Sequence, residues 1–307
     1  MKISNFVIYL NKFKNDATFR FNILSNLGFF NLISDEYYLK TKFKAYFGEN
    51  LNLNYPTTFN EKLQWLKLND RKQEHVIMAD KFRVRDYIKN KIGDKYLIPL
   101  IGTWSNPSEI DFNILPNQFV LKCNHNSGKG MFICKDKSKL SEKDIRKIKK
   151  DLAKGLKQNY YMVGREWPYK NIPRLIICEK FMEDVAMKEL RDYKFFCFNG
   201  VVKCFKVDFN RFINHRANYY NVDGTLLDCG EAICPPDYNE QLELPQNLKL
   251  MINLAEILSK SEKFLRVDFY EVNGEVYFGE LTFYPASGFG EFIDKKWDDE
   301  FGHWLKL

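Results

Sequence analysis

Two acidic residues stand inside apolar, strand-forming runs near the C-terminal end of the chain. Residues 264–290 read FLRVDFYEVNGEVYFGELTFYPASGFG, with an Asn273-Gly274 turn signal between two arms. Asp268 lies within the first arm and Glu280 within the second. Burying a carboxylate in such a run is costly unless it is paired or holds a cation. Arg266 precedes Asp268 by two residues and Thr282 follows Glu280 by two, so each pair shares one face of its strand. Hard oxygen donors such as Asp268, Glu280 and Thr282 suit Mg²⁺.

Register decides whether the two carboxylates cooperate. A two-residue Asn-Gly loop pairs Val272 with Glu275, sets Asp268 opposite Gly279 and turns Glu280 to the other face. A three-residue loop, or one bulge, pairs Asp268 with Glu280 and Arg266 with Thr282. The second register is expected, because it gathers Arg, Asp, Glu and Thr on one face. A surface hairpin with its charges in water is the plainer alternative. It explains the apolar residues on both faces poorly, since a strand of that kind is buried on both sides.

Upstream, several elements carry groups that could meet a polyanion. Residues 78–88 (MADKFRVRDYI) read as one helix with Asp80 near its positive end and a basic cluster at Lys81, Arg83 and Arg85. Residues 118–123 (QFVLKC) form a short strand ending in Lys122, followed by NHNSGKG and a second strand, MFIC. Glycines in such a flap let backbone N–H groups close over phosphate oxygens. No helix opening with Gly-Lys-Ser/Thr follows, so it is neither a Walker A loop nor a Rossmann turn. Residues 175–182 (LIICEKFM) run as an apolar strand into a linker, and residues 192–202 (DYKFFCFNGVV) form another Asn-Gly hairpin. There Asp192 could accept ribose hydroxyls, and Lys194, on the same strand face, could neutralise phosphate.

The remaining segments read as supports. Residues 37–47 form an amphipathic helix stopped at Gly48. Thr58 and Glu61 form a capping box that opens a helix with Leu63, Trp65, Leu66 and Leu68 as its apolar stripe. No chemistry is legible in residues 1–75. Residues 135–156 read as a charged, solvated helix capped at Ser141, and residues 248–258 as a helix leading into the C-terminal hairpin. The N-terminal segment could form a basic amphipathic helix with Phe6, Leu10 and Phe13 on one face, expected to pack on the protein's own core rather than on a membrane surface.

Composition bounds the rest. The chain has 307 residues, enough for one large domain or a few subdomains, and 27 Phe and 17 Tyr make a bulky core. Its net charge of +7 fits a nucleotide or an acidic glycan, and a Lys- and Asn-rich codon bias accounts for it equally well. No nucleic-acid partner is expected. Seven cysteines with no Cys-x-x-Cys pair read as reduced core residues of a cytoplasmic protein. No membrane-length apolar run and no secretion signal are seen.

Taken in order, Lys81, Lys122 with its glycine loop, the Glu179-Lys180-Phe181-Met182 run, Asp192 with Lys194, and Arg266 with Asp268 and Glu280 resemble the ATP-grasp ligases over about residues 75–290. The wording of TFNEKLQWLKLND, FVLKCNHNSG, DYKFFCFNG, RVDFY and YFGELTFYPASG is similar to one branch, the TupA-like ATP-grasp family of bacterial polysaccharide gene clusters. Most ATP-grasp members carry Asn where Thr282 stands.

The resemblance implies an α+β, ATP-grasp fold that holds ATP between two α+β subdomains. Residues 1–75 would form a helical pre-grasp region. Residues 76–178 would be the N-terminal part with the glycine flap, and 179–307 the C-terminal subdomain with the metal site. It implies that Lys81 and Lys122 reach phosphates, that Ser127, Gly128 and Gly130 form the flap, and that Glu179, Lys180, Phe181 and Met182 line adenine. It places substrate-facing arginines near Arg211, and it makes Arg266, Lys194 and Arg211 the catalytic cations. The implied reaction joins a carboxylate to an amine through an acylphosphate, with ATP and Mg²⁺. By resemblance the acid is a glycan uronate or an amino acid, the amine is an amino acid or amino alcohol, and peripheral contact with membrane-bound polysaccharide machinery follows. A small-molecule kinase on the same nucleotide site is the second reading. A glycosyltransferase is the third, and the absence of an Asp-x-Asp motif speaks against it.

Overall fold

Side-chain caps begin the N-terminal helices, and the chain turns where those caps place it. The structure, a computed structural model, describes residues 3–184, 190–210, 213–240 and 242–307, with side chains from residue 8 onward. Helices α1 (Ile3–Asn15), α2 (Ala17–Asn26), α3 (Asp35–Phe47) and α4 (Phe59–Asn69) come first. Asp16 accepts the Phe19 N–H at the start of α2, Ser34 accepts that of Tyr37 at the start of α3, and Thr58 with Glu61 forms the expected capping box of α4. Gly48, at φ 75°, ends α3 as expected.

Three expectations are corrected in this region. Leu10 on α1 is largely exposed, so this helix does not bury its apolar stripe in the core; Phe6 lies outside the side chains described. On α4, Gln64 and Lys67 take fully buried positions beside Leu63 and Leu66, while Trp65 and Leu68 are only partly buried. The single helix expected over 78–88 is two, α5 (Gln73–Ala79) and α6 (Val84–Lys91). Asp80 breaks it. Its Oδ1 accepts the N–H groups of Phe82 and Arg83 at 2.9 and 3.4 Å and the Asn124 amide at 2.8 Å, an alternative to helical bonding that short acidic side chains favour.

A four-stranded antiparallel sheet follows, built from β1 (Leu100–Trp104), β2 (Phe119–Cys123), β3 (Met131–Cys134) and β4 (Ile176–Lys180) in the order β1-β4-β2-β3. Between β3 and β4 run α7 (Glu142–Lys157) and the short α8 (Tyr161–Gly164). The segment expected as a solvated helix, α7, buries Ile148 and Leu152 against Phe119, Leu121, Ile176 and Cys178. The other face of this sheet carries Val120, Lys122, Ile177 and Glu179, since Lys122 pairs with Ile177 and Val120 with Glu179.

The larger sheet contains β5 (Asp192–Phe198), β6 (Val201–Phe209), β7 (Arg216–Asn221), β8 (Leu226–Leu227), β9 (Phe264–Val272) and β10 (Glu275–Thr282), ordered β10-β9-β5-β6-β7-β8 and antiparallel throughout. Helix α9 (Leu248–Ser259) covers the face that carries Phe195, Cys197, Val267 and Phe269. The opposite face is divided along the strands. At one end Phe196, Phe198 and Phe264 pack on Phe59 of α4 and Phe301 of α10 (Lys296–Trp304), with ring centroids 5.0 to 6.2 Å apart. At the other end the same face is charged. The two sheets meet where Leu97 bridges to Phe278, just before β1.

The architecture is α+β, with helices segregated from two antiparallel sheets. All seven cysteines are buried and free. Among the described residues, no helix is long and apolar enough to cross a membrane.

Candidate active site

Strands β9 and β10 begin pairing through a two-residue loop and end in a different register. Asn273 and Gly274 both have positive φ (51° and 78°), as a tight primed turn requires, and Val272 pairs with Glu275. Between Phe278 and Glu280 the register shifts by one, so Glu280 pairs with Asp268 and Thr282 with Arg266. Gly279 is the extra residue. A Cβ there would lie 3.1 Å from the Asp268 carbonyl oxygen and 3.1 Å from the Tyr270 ring, which is why the bulge falls on glycine. The expected register is therefore reached by a bulge, not by a longer loop.

This register brings Arg266, Asp268, Glu280 and Thr282 together. Arg266 donates from Nε to Asp268 Oδ1 at 2.7 Å and from Nη2 to Asp268 Oδ2 at 2.6 Å. The same Nη2 lies 2.9 Å from Glu280 Oε1 and 3.0 Å from Thr282 Oγ1. Three oxygen donors from two strands thus converge on one cationic atom. Burial raises the Asp268 pKa and the nearby Asp192 adds to it, while Arg266 and Lys194 oppose them. Burial alone would lower Arg266, but Asp268 and Glu280 outweigh it and hold the guanidinium more firmly protonated than usual. The two-point geometry marks the pair as ionic. Glu280 is partly open to solvent. Partial burial raises it, yet Lys81 and Arg266 together pull its carboxyl down to about 2.

The neighbouring strands extend the charged row. Lys194 pairs with Asp268 across β5 and β9, and its Nζ meets Oδ2 of both Asp192 and Asp208, the latter at 2.6 Å. Lys194 is buried and already matched by two carboxylates, so it has little charge left to offer a phosphate. Beyond it Lys206 donates to Glu231 at 2.8 Å, and Tyr219 donates to the same carboxylate at 2.6 Å. Arg211 lies outside the described residues.

The small sheet supplies the opposing groups. Lys122 Nζ lies 2.6 Å from Glu179 Oε2, and Arg85 reaches the other oxygen of that carboxylate at 3.4 Å. Lys81, presented by the turn that Asp80 makes, donates to the Asn126 carbonyl at 2.8 Å. Burial lowers the Lys81 pKa, and Glu280 is the strongest charge opposing that shift, ahead of Glu179. Lys81 therefore feels a carboxylate of each sheet, Glu280 from the large one and Glu179 from the small one.

In the flap, Gly128 has φ 80° and open space around its Cβ position. Gly130 has φ 68°, but its Cβ would lie 2.7 Å from Cys123 Sγ and 2.9 Å from the Gly155 backbone, so its glycine is explained by packing on α7. The Ser127 side chain bonds the Tyr160 hydroxyl and favours its ionised form. At the end of β4, the Lys180 N–H is taken by the Pro99 carbonyl at 3.0 Å, whereas Phe181 and Met182 are partly buried in the linker.

Sequence reasoning missed a buried polar group on the far side of Glu280. Lys67, fully buried on α4, donates to Gln64 Oε1 at 2.9 Å, the Gly164 carbonyl at 2.8 Å and the Ser287 carbonyl at 2.7 Å. Burial pushes Lys67 down and Glu166 up, and the two pull each other back toward their charged forms. Glu166 also bonds the Ser287 side chain. Tyr160 and Tyr169 pack edge to face at 4.7 Å and feel the charges of both Glu166 and Glu280. These contacts fix the loop that follows β10, where Ala286 (φ 47°) and Ser287 (φ 57°) are left-handed without being glycine. Each such residue costs about 1–2 kcal/mol, and strain of this kind collects at functional sites. The available signal was a lysine and a glutamine on the inward stripe of α4, and a glutamate amid Tyr160, Trp167 and Tyr169.

The donor set fits Mg²⁺. Asp268, Glu280 and Thr282 offer hard oxygens, all within 2.6 to 3.0 Å of one atom that carries positive charge, and Glu280 stays ionised far below neutrality. A second acidic group, Asp70 and Glu262 around His75, is already bonded: His75 Nε2 lies 2.8 Å from Glu262, and the Lys72 ammonium lies 3.2 Å from it.

No curated protein matches the chain. Solved structures that resemble it include the D-alanine–D-alanine ligase of Bacillus anthracis in complex with ATP (18% identity, 67% of this chain and 53% of that one, TM-score 0.38). Others are the D-alanine–D-alanine ligase of Helicobacter pylori (16%, 81% and 69%, TM-score 0.40) and the D-cycloserine synthetase DcsG (15%, 74% and 69%, TM-score 0.42). The chain spans about half the length of the first of these. The family model "TupA-like ATPgrasp" matches residues 61–306, which include both sheets and every candidate site residue named above. The chain belongs to the TupA-like ATP-grasp family.

Proposed function

We propose that the protein is an ATP- and Mg²⁺-dependent ligase that forms an amide between a carboxylate and an amine through an acylphosphate. The observation that carries this reading is the convergence of Asp268, Glu280 and Thr282 on Arg266 Nη2, with Lys81, from the turn after α5, feeling the charges of both Glu280 and Lys122. Family membership supports it.

In this reading a substrate carboxylate oxygen attacks the γ-phosphorus of ATP and ADP leaves. An amine then attacks the acyl carbon and phosphate leaves. Mg²⁺ held by Asp268, Glu280 and Thr282 would offset charge on the phosphates. Lys81 and Lys122 neutralise the phosphate chain from the small-sheet side. Arg266, with five donors in a rigid fork, turns part of its bonding from Asp268 to the acylphosphate oxygens. Asp192 accepts the ribose hydroxyls, and the linker from Glu179 to Met182 borders the adenine. The loop at Ser287, pinned by Lys67 and Glu166, receives the acid.

The acid is a uronate or an amino acid and the amine an amino acid or amino alcohol, in the building of a bacterial surface polysaccharide. The reaction runs in the cytoplasm, where buried thiols stay reduced. The test is thermal stability with Mg²⁺ and a non-hydrolysable ATP analogue, beside Mg²⁺ and UDP- or GDP-sugars. Ligand at about a hundredfold its Kd adds roughly 2.7 kcal/mol. A shift with the ATP analogue, followed by ADP release with an acid–amine pair, is expected. A shift with a nucleotide sugar alone would overturn the reading.

A further inference from the structure

Among the described residues, large apolar side chains of the N-terminal region stand exposed. Leu27, Phe29 and Leu32 lie in one turn after α2 and are 69%, 68% and 100% exposed. On α1, Ile8 is 65% exposed and Leu10 48%. The turn is held firmly in this pose. Phe30, between the exposed residues, stacks on Phe21 with centroids 4.8 Å apart and meets Tyr38 edge-on. Arg165 donates to the Phe30 carbonyl at 2.6 Å. One inward ring therefore fixes its neighbours outward, at the expense of exposing large side chains to water.

Basic residues outnumber acidic ones in this region. Residues 1–48 contain seven basic and three acidic residues. The three acids are engaged: Asp16 caps α2, Asp35 takes Arg71 at 2.7 Å, and Glu36 takes Lys40 at 2.6 Å. A groove of about 530 Å³ between α2 and α3 has Arg20, Lys40 and Lys44 along it and Phe21, Leu24 and Phe30 in its lining.

We propose that this face docks on the surface of an anionic lipid bilayer, with Leu27, Phe29 and Leu32 entering the headgroup–acyl boundary and the basic residues meeting lipid phosphates. Apolar tips within a basic surround match that boundary, where apolar insertion and attraction to anionic headgroups add. The proposal concerns attachment and does not depend on the ligase reading.

The experiment is co-sedimentation of the full chain with vesicles of phosphatidylcholine alone and of phosphatidylcholine mixed with phosphatidylglycerol. Binding to the anionic vesicles only, weakened by salt, is expected. Lys40→Gln with Lys44→Gln should weaken it roughly twenty-fivefold, from about a factor of five per basic residue near such a surface. Phe29→Ser with Leu32→Ser should weaken it at least about tenfold. Both double variants should keep the wild-type Tm and ATP turnover. Equal binding to both vesicle types, or variants that bind like wild type, would overturn the proposal. So would self-association, seen by sedimentation velocity and abolished by the same substitutions, because it would make the face a contact between copies.

Discussion

Asp268 and Glu280 are direct cross-strand partners although the turn that joins their strands has only two residues. The one-residue bulge at Gly279 reconciles the two facts. It also sets Arg266 opposite Thr282, so one guanidinium nitrogen contacts side-chain oxygens of three residues.

Removing either carboxylate should therefore disable nucleotide chemistry without unfolding the protein. Asp268→Asn and Glu280→Gln are each expected to lower ATP turnover by at least the roughly 10–100-fold seen when supporting residues of a metal site are lost. Raised Mg²⁺ should partly restore Glu280→Gln, because its partner oxygens remain. Turnover at the wild-type level in both variants, measured as ADP release, would remove these residues from the site.

The two flap glycines should separate by readout. Gly130→Ala drives a Cβ into Cys123 and Gly155 and is expected to lower stability by about 1–3 kcal/mol, the range for overpacking. Gly128→Ala meets nothing and pays only the left-handed backbone term, about 1–2 kcal/mol. Its effect should appear instead as a raised KM for ATP. A large stability loss at Gly128 with an unchanged KM would contradict a phosphate-facing flap.

Lys67 fills its hydrogen-bonding capacity, since three acceptors within 2.9 Å match the three protons of an ammonium. Lys67→Met should cost about 3–5 kcal/mol in denaturant unfolding, because it leaves three buried acceptors without a donor and removes a cation whose charge favours ionised Glu166. Lys67→Met combined with Glu166→Gln should be more stable than Lys67→Met alone. Additive losses in the double variant would show that the two residues do not sense each other.

Lys42 makes stability depend on alkaline pH. Burial lowers its pKa from 10.5 to about 8, with Glu166 pulling weakly the other way. Between those values the unfolded chain binds more protons than the folded one, so stability rises with pH across that window. Below pH 8 the whole cost of charging Lys42 in the core is present. Lys42→Met is expected to raise Tm near neutrality and to flatten the alkaline rise. An unchanged slope in Tm against pH would rule out Lys42 as its source.

Local rules made much of this chain legible. The Thr58–Glu61 box, the stop at Gly48, and the Asn-Gly turns at Asn199 and Asn273 depend on neighbours a few residues away, and the structure places each where its residues put it. The spacing Arg266-x-Asp268 and Glu280-x-Thr282 fixed which side chains share a face. It left two registers open, because the choice rests on how closely β10 approaches the Asp268 backbone at Gly279. The same limit explains the misread helix at Asp80, whose partner Asn124 comes from the turn after β2, over forty residues away.

The polar group behind Glu280 was invisible for a related reason. Lys67, Tyr160, Glu166 and Ser287 are scattered over more than two hundred residues, and each alone looks like an ordinary surface residue. Residue types and short spacings determined the hairpin, the flap and the family. Tertiary packing decided which buried charges meet, because a lysine can stay inside only where carbonyl and carboxylate oxygens from distant segments replace its water.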